Sequence, residues 1–501
     1  MLDLIQWRAR KTPNRPALFF NGRWYSYLEM DARANRLANR LRDLGVQQGD
    51  RVGIIAHNHL VHFDLLLAAP KLGFIYAPFN YRLSQSELAA QCREANPTLV
   101  FADSRHQSLA ESLGLPWTRL SDYRAWLAAG AETLPAPPER PLTDCDTHML
   151  LFTGGSTGLA KGALLPYRQV LLNARHTADS WGLTDADCTI QCTPCFHAGI
   201  NVLSLPLLYR GGRVVLMSNF DADEYLGHVA LHRASVLFMV PTMYKTLVDY
   251  VDFDAADLSS VRWAISGGAP CPMPVRHAYA VRGVRFKQGF GMTEAGVNCF
   301  TMDLDAAERK PESVGKPMTD LDAVIRKPDG TPVPTGEVGE LTLKGPQMFS
   351  GYLGRPEETA KLLRDGWLWT GDLARQDSEG DFFIAGRRKE MFISGGENVY
   401  PVEVETALYR CEDVMECCVM GLPDAQWGEA GLAVVVLQEG VSRDAEALRQ
   451  QLRGILAAYK VPKHFYFLAA LPKGGSGKVQ KSELRRLYEL STAVHGTGQA
   501  V

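Results

Sequence analysis

The chain has 501 residues, 46% hydrophobic and 22% charged, and its 53 Lys+Arg against 56 Asp+Glu give a net charge of -3. Such a length sets a prior of about three domains or subdomains with ample capacity for a buried core, and the composition excludes long disordered tracts. The balanced charge gives no sign of a nucleic-acid or membrane-surface partner.

The N-terminal stretch MLDLIQWRARKTPNRPALFF carries Asp3, Arg8, Arg10 and Lys11 where a secretory signal needs an unbroken apolar core. No run of about eighteen apolar residues follows elsewhere, so a cytoplasmic location without an integral membrane segment is expected. Asn21-Gly22, between ALFF and RWYSY, reads as a tight hairpin turn. Ser26 and Glu29 then form a capping box, opening a helix whose Leu37, Leu41 and Leu44 share an apolar face until Gly45 stops it. DRVGIIAHN, a helical LVHFDLLLAAPKLG and FIYAPFN continue an alternation of strand and helix, which implies parallel sheets covered by helices. Near Leu134, LPAPPERP reads as a surface connection into the strand HMLLFT.

Ten cysteines show no framework spacing and read as reduced, buried small hydrophobes. Cys188, Cys192, Cys195 and His197 include a C-x-x-C, but no second pair stands at finger-like spacing and the segment alternates as a strand does. Further along, GELTLKG and DFFIAGR read as short strands. Past Gly386 come a helix at PVEVETALYR, strands MECCVMG and AGLAVVVLQ, and a helix around DAEALRQQLRGILAAY. The expected fold is therefore α/β, with a large N-terminal domain of layered β/α subdomains over residues 1–386. A small, mobile α+β domain over 387–501 follows, joined at GRRKE.

LLFTGGSTGLAKG puts four glycines, the hydroxyls of Thr153, Ser156 and Thr157, and Lys161 directly after an apolar strand, which suits a loop wrapping N–H groups around phosphate oxygens. It is not a Walker loop, because Lys161 follows Ala160 and precedes Gly162. Gly154 to Gly158 also spell G-x-S-x-G, so a hydrolase using Ser156 is the rival. A nucleophile elbow needs a helix at once, however, and Gly162 and Pro166 interrupt one.

The loop resembles the phosphate-binding signature of the adenylate-forming superfamily, which includes acyl-CoA synthetases. PCFHAG, SGGAP, GFGMTE, WTGD, GRRKEMFISGGENVYPVEVE and PKGGSGKVQK follow in that family's order and span nearly the whole chain. The resemblance implies ATP, Mg²⁺ and coenzyme A as cofactors and a small-molecule carboxylic acid as substrate, and it is compatible with a homodimer. Thr153, Gly154, Gly155, Ser156, Thr157, Gly158 and Lys161 would hold the β- and γ-phosphates. Thr293 would reach the α-phosphate, Glu294 with Thr153 would bind Mg²⁺, and Gly268, Ala269 and Pro270 would lie against adenine. Gly289, Phe290, Gly291 and Met292 would border the nucleotide, Asp372 would accept both ribose hydroxyls, and Arg387 would contact ribose and phosphates. His197 would border the acyl carboxylate, and Lys478 would bridge carboxylate and α-phosphate during adenylation.

Val240, Gly267, Gly289, Met292 and Ala295 would build an apolar acyl pocket, without a cation to grip a second carboxylate. Rotation of the small domain about Lys389 would then bring Gly395 and Gly396 beside the pantetheine arm. Departures from the family pattern are Gly155 for serine, Ala160 for proline, Phe290 for tyrosine, Lys389 for the hinge aspartate, and KGGSGK without an arginine-x-proline start. The expected reaction is formation of an acyl-adenylate and then an acyl-CoA thioester, on a medium- or long-chain fatty acid. Aryl acids of benzoate or cinnamate type and a carrier-protein thiol acceptor are the alternatives within the fold. A silent nucleotide-binding protein stands beside the hydrolase outside this reaction class.

Overall fold

The computed structural model describes residues 2–153, 160–411, 413–438, 440–474 and 479–495, with 493–495 by backbone alone. The chain divides into two compact units. The first comprises Met1–Pro270, Tyr279–Ala323 and Leu343–Leu368; the second comprises Cys271–Ala278, Val324–Thr342 and Trp369–Val501.

The first unit holds a seven-stranded sheet whose strands lie side by side in the order Gly351–Tyr352, Lys161–Pro166, Thr147–Thr153, Ile75–Pro78, Arg51–Ile55, Leu99–Ala102 and Trp117–Arg119. Its central neighbours are parallel, and Ile75–Pro78 and Leu99–Ala102 are buried at every position. That is why the run from Phe74 to Phe79 carries no charged residue: helices cover both faces of a parallel strand. Thr147–Thr153 and Lys161–Pro166 break the rule by pairing antiparallel, so GALLP is extended as its sequence suggests.

The helix Tyr27–Asp43 opens on the Ser26/Glu29 capping box and buries Leu37 and Leu41. Leu44 departs from the expected face: as the C-cap residue it has left the helical period and is 49% exposed. A second, parallel sheet of three strands, Val236–Met239, Trp263–Ser266 and Arg285–Gln288, also lies in this unit. The C-terminal ends of its strands lead directly into Val240, Gly267 and Gly289.

In the second unit, strands Val414–Asp424 and Gly428–Leu437 pair along their whole length. Cys417, Val419, Ala433 and Val435 face one core with Val404, Leu408, Leu448 and Leu452 from helices Pro401–Leu408 and Ala445–Arg453. Cys418, Met420, Leu432 and Val434 face another with Leu484 and Tyr488 of the helix Lys481–His495. The period-two alternation of strand side chains between two covered faces accounts for the CCVM and AVVVL runs. The helix around DAEALRQQLRGILAAY ends at Arg453, where Gly454 follows.

Candidate active site

Thr153 and Lys161 face each other across the antiparallel pair, closing the base of the glycine-rich loop. The Thr153 hydroxyl donates to the Lys161 carbonyl over 3.4 Å. Gly154, Gly155, Ser156, Thr157 and Gly158 lie outside the described residues. The order is strand, loop, strand, and the next helix, Tyr167–Ser180, begins only after Pro166. The strand-to-helix turn on which a Ser156 nucleophile would depend is therefore replaced by a hairpin.

That same helix presents Gln169, Asn173 and Thr177, four residues apart and all buried, to the GFGMTEAGVN segment. Gln169 Nε2 donates to the Thr293 carbonyl (2.7 Å), Asn173 Nδ2 to the Asn298 carbonyl (2.7 Å), and Asn298 Nδ2 to Thr177 Oγ1 (2.9 Å) and the Val202 carbonyl (3.0 Å). The segment doubles back on itself, with Met292 N–H donating to Gly296 O (3.1 Å) and Cys299 N–H to Phe290 O (2.9 Å). Only glycine fits at 291, because a Cβ there would lie 2.0 Å from the Val297 carbonyl oxygen. Thr293 and Glu294 thus sit at the tip of a loop fixed by buried polar groups.

Glu294 is 7% exposed, and its Oε1 accepts the Tyr352 hydroxyl at 2.6 Å. Tyr352 lies on the strand that pairs with Lys161–Pro166, and the Lys161 ammonium sits 5.2 Å from its ring centroid. Lys161 also forms an ion pair with Glu358, which Arg355 contacts from one helical turn away. The sequence reading named Thr153, Lys161 and Glu294 but missed Tyr352 and Glu358, which come from a segment with no phosphate-loop signature. Gln169 and Asn173 were equally hidden, although polar residues recurring every four positions along a helix were a signal that its buried face grips something polar.

At the ends of the parallel strands, a Cβ on Gly267 would meet the Phe238 ring at 3.3 Å, and one on Gly268 would meet Val240 at 3.9 Å. Gln288 Nε2 donates to the Ala269 carbonyl (3.2 Å), and Gly289 N–H to Ser266 O (2.7 Å). Pro270 and Phe290 continue these two loops, and Ala295 is fully buried. Phe238 was not anticipated; its ring also comes within 3.8 Å of a Cβ on Gly199, two residues past His197. His197 lies beside Phe196, ring centroids 4.5 Å apart. Asn58 holds this segment by donating to the Thr193 carbonyl and accepting from Cys195 N–H. Burial pushes the nearby thiols of Cys188 and Cys192 up to about 11 and about 12, so they stay protonated.

In the second unit, Asp372 stands opposite Arg387 across an antiparallel pair, and Arg387 Nε contacts Asp372 Oδ1 at 2.7 Å. Glu340 accepts from the Gly371 N–H and pairs with Arg388, fixing the WTGD turn. Lys389 follows in the turn that closes with Glu390 N–H donating to Arg387 O. Gly395 and Gly396, at φ +61° and +86°, turn the hairpin Phe392–Ser394 to Glu397–Val399. Lys478 lies outside the described residues. Flanking it, Lys473 bridges to Val479, and Lys481 Nζ contacts Glu390 Oε2 at 2.7 Å.

A family model described as AMP-binding enzyme matches residues 5–353, and that of the AMP-binding enzyme C-terminal domain matches 403–478. A feruloyl-CoA synthase of Amycolatopsis sp is 39% identical over 482 residues, covering 96% of this chain and 97% of that protein. ATP-bound MatB from Rhodopseudomonas palustris superposes with a TM-score of 0.89 at 32% identity, over 97% of this chain and 99% of that one. The anthranilate CoA ligase AuaEII in complex with anthranoyl-AMP superposes at 0.91 and 26% identity, over 98% of both chains. Among the described residues, no helix is long and apolar enough to cross a membrane. Matched from end to end, the chain belongs to the AMP-binding enzyme family within the adenylate-forming superfamily, and is an ATP-dependent carboxylate–CoA ligase with a small-molecule acid and coenzyme A as substrates.

Proposed function

We propose that the acid is an aromatic carboxylate of the hydroxycinnamate class, in place of the fatty acid expected from the sequence. The observation that carries this reading is the edge of the Phe238 ring 3.3 Å from a Cβ built on Gly267, which brings an aromatic side chain against the bare glycine backbone expected at the acyl end of the site. The feruloyl-CoA synthase relative supports the same class.

A carboxylate is a poor acyl donor, so its oxygen attacks the α-phosphorus of ATP while the bond to the β-phosphate breaks, giving acyl-adenylate and pyrophosphate. The coenzyme A sulfur then attacks the acyl carbon, its proton passes to solvent or base, and AMP leaves. Both half-reactions bring nucleophiles to a crowded anionic centre, and fixed donors aimed at the developing charge supply much of the rate. Residues 153–161 would hold the pyrophosphate end, Thr293 the α-phosphate, Asp372 and Arg387 the ribose, and Gly268, Ala269 and Pro270 the adenine. The Glu294 carboxylate and Thr153 hydroxyl are hard oxygen donors that suit Mg²⁺, which would offset phosphate charge there. Asp372 and Arg387 already pair with each other. A bound ribose would compete for that carboxylate.

Lys478 would serve adenylation alone, and His197 would border the acyl carboxylate. A small domain beginning after residue 386 would turn about Lys389, bringing Gly395 and Gly396 to the thiol. The test is the rate of acyl-CoA formation over a panel of ferulic, benzoic, octanoic and palmitic acids. Ferulic acid should be preferred in kcat/KM; preference for either fatty acid would overturn the aromatic reading while leaving the ligase reaction intact.

A further inference from the structure

We propose that Tyr352 is the positioning residue of the phosphate end of this site, its hydroxyl aiming the Glu294 carboxylate and its ring seating the Lys161 ammonium. The proposal rests on the reading of Glu294 as a magnesium ligand. Two residues from separate segments meet at this one side chain. Glu294 Oε1 accepts its hydroxyl at 2.6 Å, and Lys161 lies over its ring at 5.2 Å. The carboxylate expected at the metal and the ammonium expected at the phosphates are therefore linked through one phenol.

Tyr352 is well placed to orient because it is itself held. Its backbone pairs with Ala163, two residues from Lys161, and its N–H donates to Thr359 Oγ1 at 2.9 Å. Its ring meets Phe349 edge-on at 5.0 Å, and Phe349 N–H donates to the Glu294 carbonyl at 2.9 Å. Both ends of the Tyr352–Glu294 contact are buried, where a short hydroxyl-to-carboxylate bond is strong. A partner that orients a ligating carboxylate contributes about 10- to 100-fold to metal affinity.

The test is Tyr352→Phe in the full chain, which keeps the ring and its packing and removes the hydroxyl alone. Calorimetric titration with ATP, with and without Mg²⁺, reads the gain in affinity that the metal supplies. That gain should fall about 10- to 100-fold, while ATP affinity without metal changes far less. Equal loss with and without Mg²⁺, or no loss, would overturn the proposal. In a Glu294→Gln background the tyrosine substitution should cost nothing further, and an additive loss would also overturn it. Should Glu294→Gln alone leave the magnesium dependence untouched, the metal reading itself is wrong, and the proposal falls with it by a distinguishable route.

Discussion

Replacing Gly291 by alanine probes the loop that carries Thr293 and Glu294. The added methyl would sit 2.0 Å from the Val297 carbonyl oxygen and 2.9 Å from the Asn298 nitrogen, both backbone atoms that no rotamer change can clear. The carbonyl is about 1.4 Å short of ordinary van der Waals contact. One of the two strands of the loop must therefore shift by roughly 1 Å. Forced overpacking of this kind costs about 1–3 kcal/mol. Asn173 and Thr177 hold one side of the fold through Asn298 and Gln169 holds the other through the Thr293 carbonyl, so a shift of either side strains the contacts that fix Thr293 and Glu294. A 1 Å misplacement at reacting groups costs on the order of 100-fold in rate. The assay is acid-dependent exchange of pyrophosphate into ATP, read beside thermal unfolding. Gly283→Ala is the control: that glycine has φ +76° with nothing within 4 Å, so only the left-handed backbone cost of about 1–2 kcal/mol applies. Exchange by Gly291→Ala within twofold of wild type would refute the reasoning.

Glu358→Gln should lower the KM for ATP a few-fold, because Lys161 no longer has to leave a carboxylate to meet phosphate; an unchanged or higher KM would contradict this. Lys481→Met should slow acyl-adenylate formation more than thioester formation from supplied acyl-adenylate, since the Lys481–Glu390 contact ties the segment after Lys478 to the residue after Lys389. Equal effects on both steps would argue against that coupling. Burial pushes His62 down to about 3 and His148 down to about 4, so both are neutral in the folded chain, whereas unfolded histidine takes a proton near pH 6.5. The unfolded state then binds more protons, and stability should fall between pH 6.5 and 5 by up to about 1.4 kcal/mol per unit for each histidine. Denaturant unfolding across that range checks the sign, and His148→Gln should make the slope shallower.

Local chemistry was readable directly: Ser26 and Glu29 do cap a helix, Asn21 and Gly22 do take positive φ in a turn, and the apolar run at Ile75 is a strand buried on both faces. Signature order identified the family because its motifs sit at strand ends and turns, where backbone geometry restricts the residue type. The hidden part was long-range. Tyr352 reaches Glu294 across 58 positions, and Gln169 reaches Thr293 across 124, with no periodicity linking either pair. Phe238 was overlooked for a related reason: in FMVP it reads as one more apolar strand residue, and only sheet registry sets it beside Gly267. The class of acid was the least legible part, because an apolar pocket built from Val240 and glycines describes an alkyl chain and an aromatic ring equally well.

The central claim is that one chain makes an aromatic acyl-adenylate and then passes the acyl group to coenzyme A. Rapid quenching of the enzyme with ATP, Mg²⁺ and ferulic acid, followed by mass analysis, tests it most directly. Without coenzyme A, feruloyl-adenylate and pyrophosphate should accumulate together to the level of enzyme present, and adding coenzyme A should convert the adenylate to thioester with release of AMP. Thioester forming with ADP and phosphate, or with no adenylate at any time point, would contradict the account.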